Sequence, residues 1–102
     1  MKEYQVIIAP AARDELDAIK KYIIDTFADV LAADKLELKI LQEISSLNIF
    51  PQRYQIYNVN YHLPKNIHIA FVKKYAIMYI IDEEKSLVLI EKICLMSNNW
   101  KA

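Results

Sequence analysis

The side chains able to carry acid–base or phosphate chemistry lie mainly in the second half of the chain. Histidine is the side chain that most often accepts or donates a proton near neutral pH, and His68 is a candidate for that role. Lysine and arginine side chains could hold a phosphate by charge, and tyrosine rings could stack on nucleic-acid bases. Besides His68, the candidates are Arg53, His62, Lys65, Lys73, Lys74, Tyr54, Tyr57, Tyr61 and Tyr79.

Each candidate also has a structural interpretation that is commoner in proteins. A histidine on a strand beside helices usually belongs to the packing, and we favour this interpretation for His68. The pair Lys73-Lys74 is typical of a polar turn, and loop tyrosines commonly cover the edge of a core. His62 and His68 have no acidic or cysteine ligands at tight spacing, so no metal site is predicted.

Composition narrows the function further. The 102 residues fit a single domain over residues 1–102, and 55% hydrophobic with 25% charged residues is typical of a globular chain. Thirteen basic residues balance thirteen acidic ones, whereas proteins that bind phosphate backbones usually carry a basic excess. The chain contains no glycine, which excludes glycine-built phosphate loops, so we expect no nucleotide or other cofactor.

Cysteine content and hydropathy bear on location. Cys94 is the single cysteine, which rules out an internal disulfide and is typical of a reducing compartment. No uncharged apolar run approaches the roughly 20 residues that a membrane span needs. We therefore expect a cytoplasmic protein that does not enter a membrane.

Apolar periodicity in the first half predicts two helices that follow a short strand at residues 4–8. Pro10 favours a helix that begins there. Its apolar stripe, with three- and four-residue spacing, consists of Ala12, Leu16, Ile19, Ile23 and Phe27. A second helix is predicted from Asp29 to Leu47, and its stripe consists of Ala33, Leu36, Ile40, Ile44 and Leu47. Because few residues separate the helices, they should form an antiparallel hairpin.

The second half of the chain predicts a sheet. After Phe50-Pro51 ends the helical pattern, strand-like runs occupy residues 67–73, 75–81 and 87–94. The order β-α-α-β-β-β indicates an α+β domain in which a helical hairpin packs on one face of an antiparallel sheet. Both faces of the strand at 75–81 are apolar, whereas such sheets normally keep one face polar. Tyr79, Ile81 and Ile90 should be buried, and the opposite face should be covered by this chain's tail or by a partner.

Three segments resemble the RelE/ParE superfamily of bacterial type II toxins, which includes plasmid stabilisation proteins. APAARDELDAIKKYI, residues 9–23, is similar to the opening pattern P-x-A-x-x-D/E-L-x-x-I-x-x-Y-I. FPQRY, residues 50–54, resembles the segment after the second helix, and VKKYAIMYIID, residues 72–82, resembles the central strand. The matching positions in the first segment are Pro10, Ala12, Glu15, Leu16, Ile19, Tyr22 and Ile23.

The resemblance implies the same β-α-α-β-β-β fold and a partner. Members of the superfamily are encoded beside an antitoxin that lays a helix or strand against the toxin. The resemblance leaves open whether the chain forms a homodimer or a toxin–antitoxin hetero-oligomer. The outer face of the sheet and the extra leucines of the second helix are candidates for antitoxin binding, represented by Leu31, Leu38, Leu41 and Met78.

The resemblance also implies one of two activities. RelE-like members cleave messenger RNA on the ribosome, and ParE-like members inhibit DNA gyrase. Cleaving members commonly carry an arginine where this chain has His68, and an L-H-G-R type segment where it has Leu95 and Ser97 at the histidine and arginine positions. These departures favour a ParE-like toxin that does not cut RNA. The alternatives are a non-toxic interaction module or a metal-independent endoribonuclease that uses His68, Lys73, Arg53, Lys65 or Tyr79.

Overall fold

The structure, a computed structural model, describes residues 2–57 and 66–96. Its elements follow the chain as β1 (Gln5–Ile8), α1 (Pro10–Phe27), α2 (Val30–Ser46), a 3₁₀ turn (Pro51–Arg53), β2 (Ile56–Tyr57), β3 (Ile67–Val72), β4 (Tyr75–Asp82) and β5 (Leu87–Leu95). The α+β class and the order β-α-α-β-β-β are confirmed. The strand β2 is missing from the prediction because two residues show no periodicity.

The helical hairpin is closed by two caps in a short link. Pro10 stands in the first turn of α1, where its missing N–H has no partner to lose. α1 ends at Ala28, whose left-handed backbone (φ 51°) lets its N–H donate to the carbonyl of Ile24. The side chain of Asp29 then accepts a hydrogen bond of 2.9 Å from the backbone N–H of Ala32 and caps α2. The chain therefore reverses within two residues, as predicted.

The sheet has the strand order β1-β5-β4-β3-β2. β3, β4 and β5 pair antiparallel, as predicted, and β2, which was not predicted, pairs antiparallel with β3. β1 runs parallel to β5 at one edge, so the sheet is mixed and not antiparallel throughout as predicted. A parallel pair requires a long crossover, and the helical hairpin with the following strands supplies it. Tyr79 faces Ile90 while Met78 faces Lys92, so Glu91 is an extra residue that forms a β-bulge. The bulge shifts the alternation of β5 and lets both Ile90 and Ile93 face the helices.

The main core lies between the helices and one face of the sheet. The predicted stripe of α2 is buried, and Ala12 and Leu16 of α1 are fully buried. Tyr79 and Ile90 are fully buried as predicted, while Ile81 is half-buried against the same core. Phe27 departs from the prediction because it lies over the β3–β4 turn, where no strand covers it, and is 66% exposed.

The opposite face of the sheet forms a second apolar cluster. It consists of Ile67, Ile69, Ala76 and Met78, each at most 2% exposed, with Ile80 and Cys94 packed beside it. This chain alone therefore shields most of the second face. Neither helix of the described ranges is long and apolar enough to cross a membrane.

Candidate functional site

Four of the predicted catalytic residues gather where the 3₁₀ turn meets β3 and β4. His68 on β3 lies directly opposite Tyr79 on β4, and their rings stack with centroids 5.2 Å apart and planes 15° apart. The guanidinium group of Arg53 lies over the Tyr54 ring, with Cζ 4.9 Å from the ring centroid. The sequence predicts these residue types, but their meeting depends on strand register and on the fold of the turn.

His68 is nearly buried, with 7% of its surface exposed. Its Nδ1 lies 2.7 Å from the backbone carbonyl oxygen of Tyr54. A carbonyl can only accept, so Nδ1–H donates to it, which leaves Nε2 as an acceptor whenever the ring is neutral. An open pocket of about 830 Å³ adjoins the ring, lined by Gln52, Tyr54, Gln55, Ile56, Asn66, His68, Ile80, Ile81 and Glu83.

Tyr79 is held in its neutral form. Its hydroxyl donates a buried hydrogen bond of 2.7 Å to the carbonyl oxygen of Pro51. Burial raises the pKa of Tyr79 well above its ordinary value, although the positive charge of Arg53 opposes the rise. Because the hydroxyl proton of Tyr79 is already donated to the Pro51 carbonyl, this side chain links β4 to the 3₁₀ turn.

Arg53 caps the carboxyl end of α2. One guanidinium nitrogen donates to the carbonyl oxygens of Ser46, Ile49 and Phe50 at 3.3, 3.0 and 3.3 Å. The other donates to Ser46 Oγ at 2.6 Å and lies 3.8 Å from a carboxylate oxygen of Glu43. Cations stabilise the negative end of a helix dipole. The guanidinium is therefore committed to the backbone of this chain.

Tyr54 joins the same group of side chains. Its hydroxyl donates to a carboxylate oxygen of Glu43, and this bond, followed by burial, raises the pKa of Tyr54. Glu43 thus binds both a hydroxyl and, at longer range, Arg53. The group is consistent with a fixed junction between α2 and the following turn.

The predicted lysines do not join this group. Lys73 and Lys74 form the β3–β4 turn, and Lys73 adopts a left-handed backbone with φ 55°. Four residues of β3 lie between His68 and Lys73, and five steps along an extended chain correspond to roughly 16 Å. Among the other candidates, His62, Tyr61, Lys65 and the side chain of Tyr57 lie outside the described residues.

The last strand ends without the charged pair of a cleaving toxin. Leu95 is 56% exposed, Met96 is also exposed, and Ser97 lies outside the described residues. In the described ranges, no group of three histidine, cysteine or acidic side chains could hold a metal ion.

The predicted antitoxin residues fall into different environments. Leu31 and Leu38 are 64% and 57% exposed on α2. Leu41 packs partly against the main core, and Met78 is buried in the second cluster. The leucines of α2 are thus exposed to a partner, whereas Met78 is 2% exposed.

A second apolar surface runs beside α1. One hollow of about 270 Å³ is lined by Ala18, Ile19, Tyr22, Tyr75 and Leu95. A neighbouring hollow of about 310 Å³ is lined by Ile23, Phe27, Ala32, Leu36, Lys73, Lys74 and Tyr75. Because Tyr75 lines both, we name them together the α1 groove. The exposed Tyr22 and Phe27 are the side chains that could have indicated it, since apolar rings on a helix surface often mark a contact.

Residues 6–100 match the model of the family described as "ParE toxin of type II toxin-antitoxin system, parDE". The chain belongs to this family. The resemblance of its three segments to the RelE/ParE superfamily is therefore confirmed.

Two solved structures share the fold. A chromosomal ParDE toxin–antitoxin system from P. aeruginosa aligns with a TM-score of 0.76 at 12% identity, covering 95% of this chain and 100% of that one. The toxin–antitoxin complex RelBE2 from Mycobacterium tuberculosis aligns with a TM-score of 0.61 at 18% identity, covering 96% and 97%. Comparison with curated protein sequences gives no match. Since both branches share the fold, the fold does not choose the activity.

Proposed function

We propose that the chain is a ParE-like toxin that inhibits DNA gyrase in the cytoplasm without cutting RNA, and that an antitoxin encoded beside it neutralises it. The observation that carries this proposal is the structural use of the candidate catalytic groups. Arg53 binds the end of α2, and Tyr79 binds the carbonyl of Pro51. Neither side chain is free to hold a phosphate or move a proton.

The positions that matter most for RNA cleavage support the same proposal. The strand position of the usual arginine holds the nearly buried His68, and the end of β5 holds Leu95. A leucine cannot stabilise the negative charge that develops on a cleaved phosphate, and a nearly buried imidazole that already binds a carbonyl lacks the fixed charge and the five donors of arginine. Inhibition of a protein target needs no such charge, because a few buried anchors carry most of the energy of a protein interface.

An antitoxin partner is supported by the two solved relatives, which are toxin–antitoxin assemblies. The chain also exposes several large apolar side chains, including Tyr22, Phe27, Leu31 and Leu38. Exposed apolar groups of this kind mark protein interaction sites in soluble domains. Binding to the folded toxin should raise its melting temperature in proportion to antitoxin concentration.

One observation favours a second candidate, a ribosome-dependent ribonuclease. The remaining acceptor of His68, Nε2, belongs to a ring that lines the pocket of about 830 Å³. If RNA entered this pocket, Nε2 could accept a proton from a ribose hydroxyl. For this candidate, the ribosome would have to supply the positively charged groups that bind the scissile phosphate.

Purified toxin distinguishes the two candidates in parallel assays of gyrase supercoiling and of messenger RNA on programmed ribosomes. We expect supercoiling to stop at near-stoichiometric toxin, to recover when antitoxin is added, and messenger RNA to stay intact. His68→Gln, which keeps a polar side chain, should retain the inhibition of gyrase. Ribosome-dependent cleavage that His68→Gln slows by about 10² to 10⁴ would establish the ribonuclease instead.

A further inference from the structure

The α1 groove combines apolar walls with unpaired positive charge. Its first hollow is lined by aliphatic and aromatic side chains only, while Lys73 and Lys74 stand at one end of the second. Among the described residues, neither lysine has a carboxylate partner. By contrast, Lys20 and Lys92 are each bound by a carboxylate at 3.0 Å or less.

The backbone of the turn adds a second observation. Lys73 occupies a left-handed conformation that a side chain with a Cβ adopts at a cost of roughly 1 kcal/mol or more. The tight turn places both lysines in the lining of the second hollow. Since neither lysine is paired within the described part of this chain, a carboxylate brought by a partner could bind them without displacing another acid.

We propose that the α1 groove, and not the exposed leucines of α2, receives the antitoxin, through a segment with two bulky apolar side chains and carboxylates beside the second. The apolar side chains would fill the two hollows on either side of Tyr75. The carboxylates would pair with Lys73 and Lys74. This assignment rests on the proposed function, because it names the surface and the chemistry of the partner.

The shape of the lining favours this surface. Leu31 and Leu38 are exposed on α2, with Lys35 and Lys39 nearby in sequence. Asp34 there binds Lys20 at 3.4 Å, so charge alone does not separate the two surfaces. The α1 groove is favoured because its two hollows give the apolar side chains of a partner a place to insert. The α1 groove offers two lysines and no acid among its lining residues. Complementary charge of this kind mainly selects the partner and raises its association rate.

The first experiment tests the charge with matched variants. Full-length toxin and the antitoxin encoded by the adjacent gene are mixed, and the dissociation constant is measured by calorimetry at low and high salt. Lys73→Glu with Lys74→Glu should weaken binding by about 10- to 100-fold and reverse the salt dependence. Lys35→Glu with Lys39→Glu changes net charge equally on the exposed surface of α2, and should leave the constant within about two-fold.

The second experiment tests the apolar walls. Tyr22 in the groove and Leu38 on α2 are 61% and 57% exposed, so aspartate at either position should leave the fold intact, as circular dichroism would verify. Tyr22→Asp should weaken antitoxin binding by at least about 10-fold, whereas Leu38→Asp should not.

The outcomes separate three alternatives. Equal losses for the groove and α2 variants, or a loss confined to Leu38→Asp, would overturn the assignment while leaving the toxin proposal intact. Self-association of the toxin that Tyr22→Asp abolishes, measured by sedimentation, would show that the groove holds a second copy and would also overturn it. An unaltered toxin that neither binds the antitoxin nor arrests growth would instead refute the proposed function itself.

Discussion

At the scale of single residues, the side chains with catalytic potential serve mainly to join elements. The polar atoms of Tyr79, Arg53 and Tyr54 each form hydrogen bonds to another segment of this chain. The sequence could identify these residues as candidates because their types are visible. It could not show their partners, since those depend on how the 3₁₀ turn folds back on α2 and β4.

The hydroxyl of Tyr79 should contribute measurably to stability. Tyr79→Phe keeps the fully buried ring but leaves the Pro51 carbonyl without its donor. An unpaired buried carbonyl costs about 1 to 3 kcal/mol, so we expect the free energy of unfolding in urea to fall by that amount. Tyr22→Phe, at a 61% exposed position, is the control and should change it little. An unchanged midpoint for Tyr79→Phe would contradict the assigned role.

The same residue makes stability depend on alkaline pH. The pKa of Tyr79 is raised in the folded state, so its neutral form stabilises the fold fully below the unfolded pKa near 10. As pH rises above about 10, the unfolded chain loses this proton first and stability declines. The unfolding free energy of Tyr79→Phe should therefore fall less steeply above that pH. Parallel slopes for the two proteins would contradict the prediction.

At the scale of elements, the helices were more predictable than the sheet. The bounds of α1 and α2 follow from local signs in the sequence, namely Pro10, Asp29 and the apolar stripes. The parallel pairing of β1 and the bulge at Glu91 do not, because the first joins strands from distant parts of the chain and the second depends on the register between β4 and β5. Strand pairing is decided by tertiary contacts that alternation in one strand does not reveal.

Glu15 links α1 to the bulged part of β5. One carboxylate oxygen accepts from Lys92 Nζ at 2.6 Å, and the other accepts from the backbone N–H of Ile93 at 3.1 Å. Glu15→Ala removes both bonds and should cost about 1 to 3 kcal/mol in chemical denaturation. Asp14→Ala, at an exposed neighbouring position, is the matched control. A loss no larger than that of the control would show that the link does not stabilise the bulge.

The link between the helices offers a stabilising change. Ala28 has φ 51°, a conformation in which Cβ is unfavourable and glycine is not penalised. Ala28→Gly should therefore raise the melting temperature. The greater freedom of glycine in the unfolded chain opposes this effect, so the net gain in the free energy of unfolding should be at most about 1 kcal/mol. Ala32→Gly, inside α2, should have the opposite effect. A destabilised Ala28→Gly protein would show that the left-handed cap is wrong.

At the scale of the whole molecule, two features of the sequence bear on function: the absence of glycine and the apolar character of both faces of the sheet. The chain places several non-glycine residues in left-handed turns, among them Lys73 beside the α1 groove. The second face is shielded by this chain, so its apolar pattern reflects folding more than partner binding. The exposed apolar groups on the helices include those that we propose as the binding surface of an antitoxin. Sequence alone could not make this distinction, because a buried and a docking side chain have the same pattern.

The fold should depend most on the centre of β5, where all its layers meet. Ile90 is fully buried, pairs with Ile8 of β1 and Tyr79 of β4, and lies in the core cluster that includes Leu16 and Ile40 of the helices. Ile90→Ala would leave a cavity that both neighbouring strands and the helices border. We expect a loss of about 2 to 5 kcal/mol, a large share of the roughly 5 to 15 kcal/mol typical of a domain, and a correspondingly lower melting temperature. Ile7→Ala removes the same atoms from a 39% exposed position on β1 and should cost clearly less. Equal melting temperatures for the two variants would show that the register of β5 is wrong.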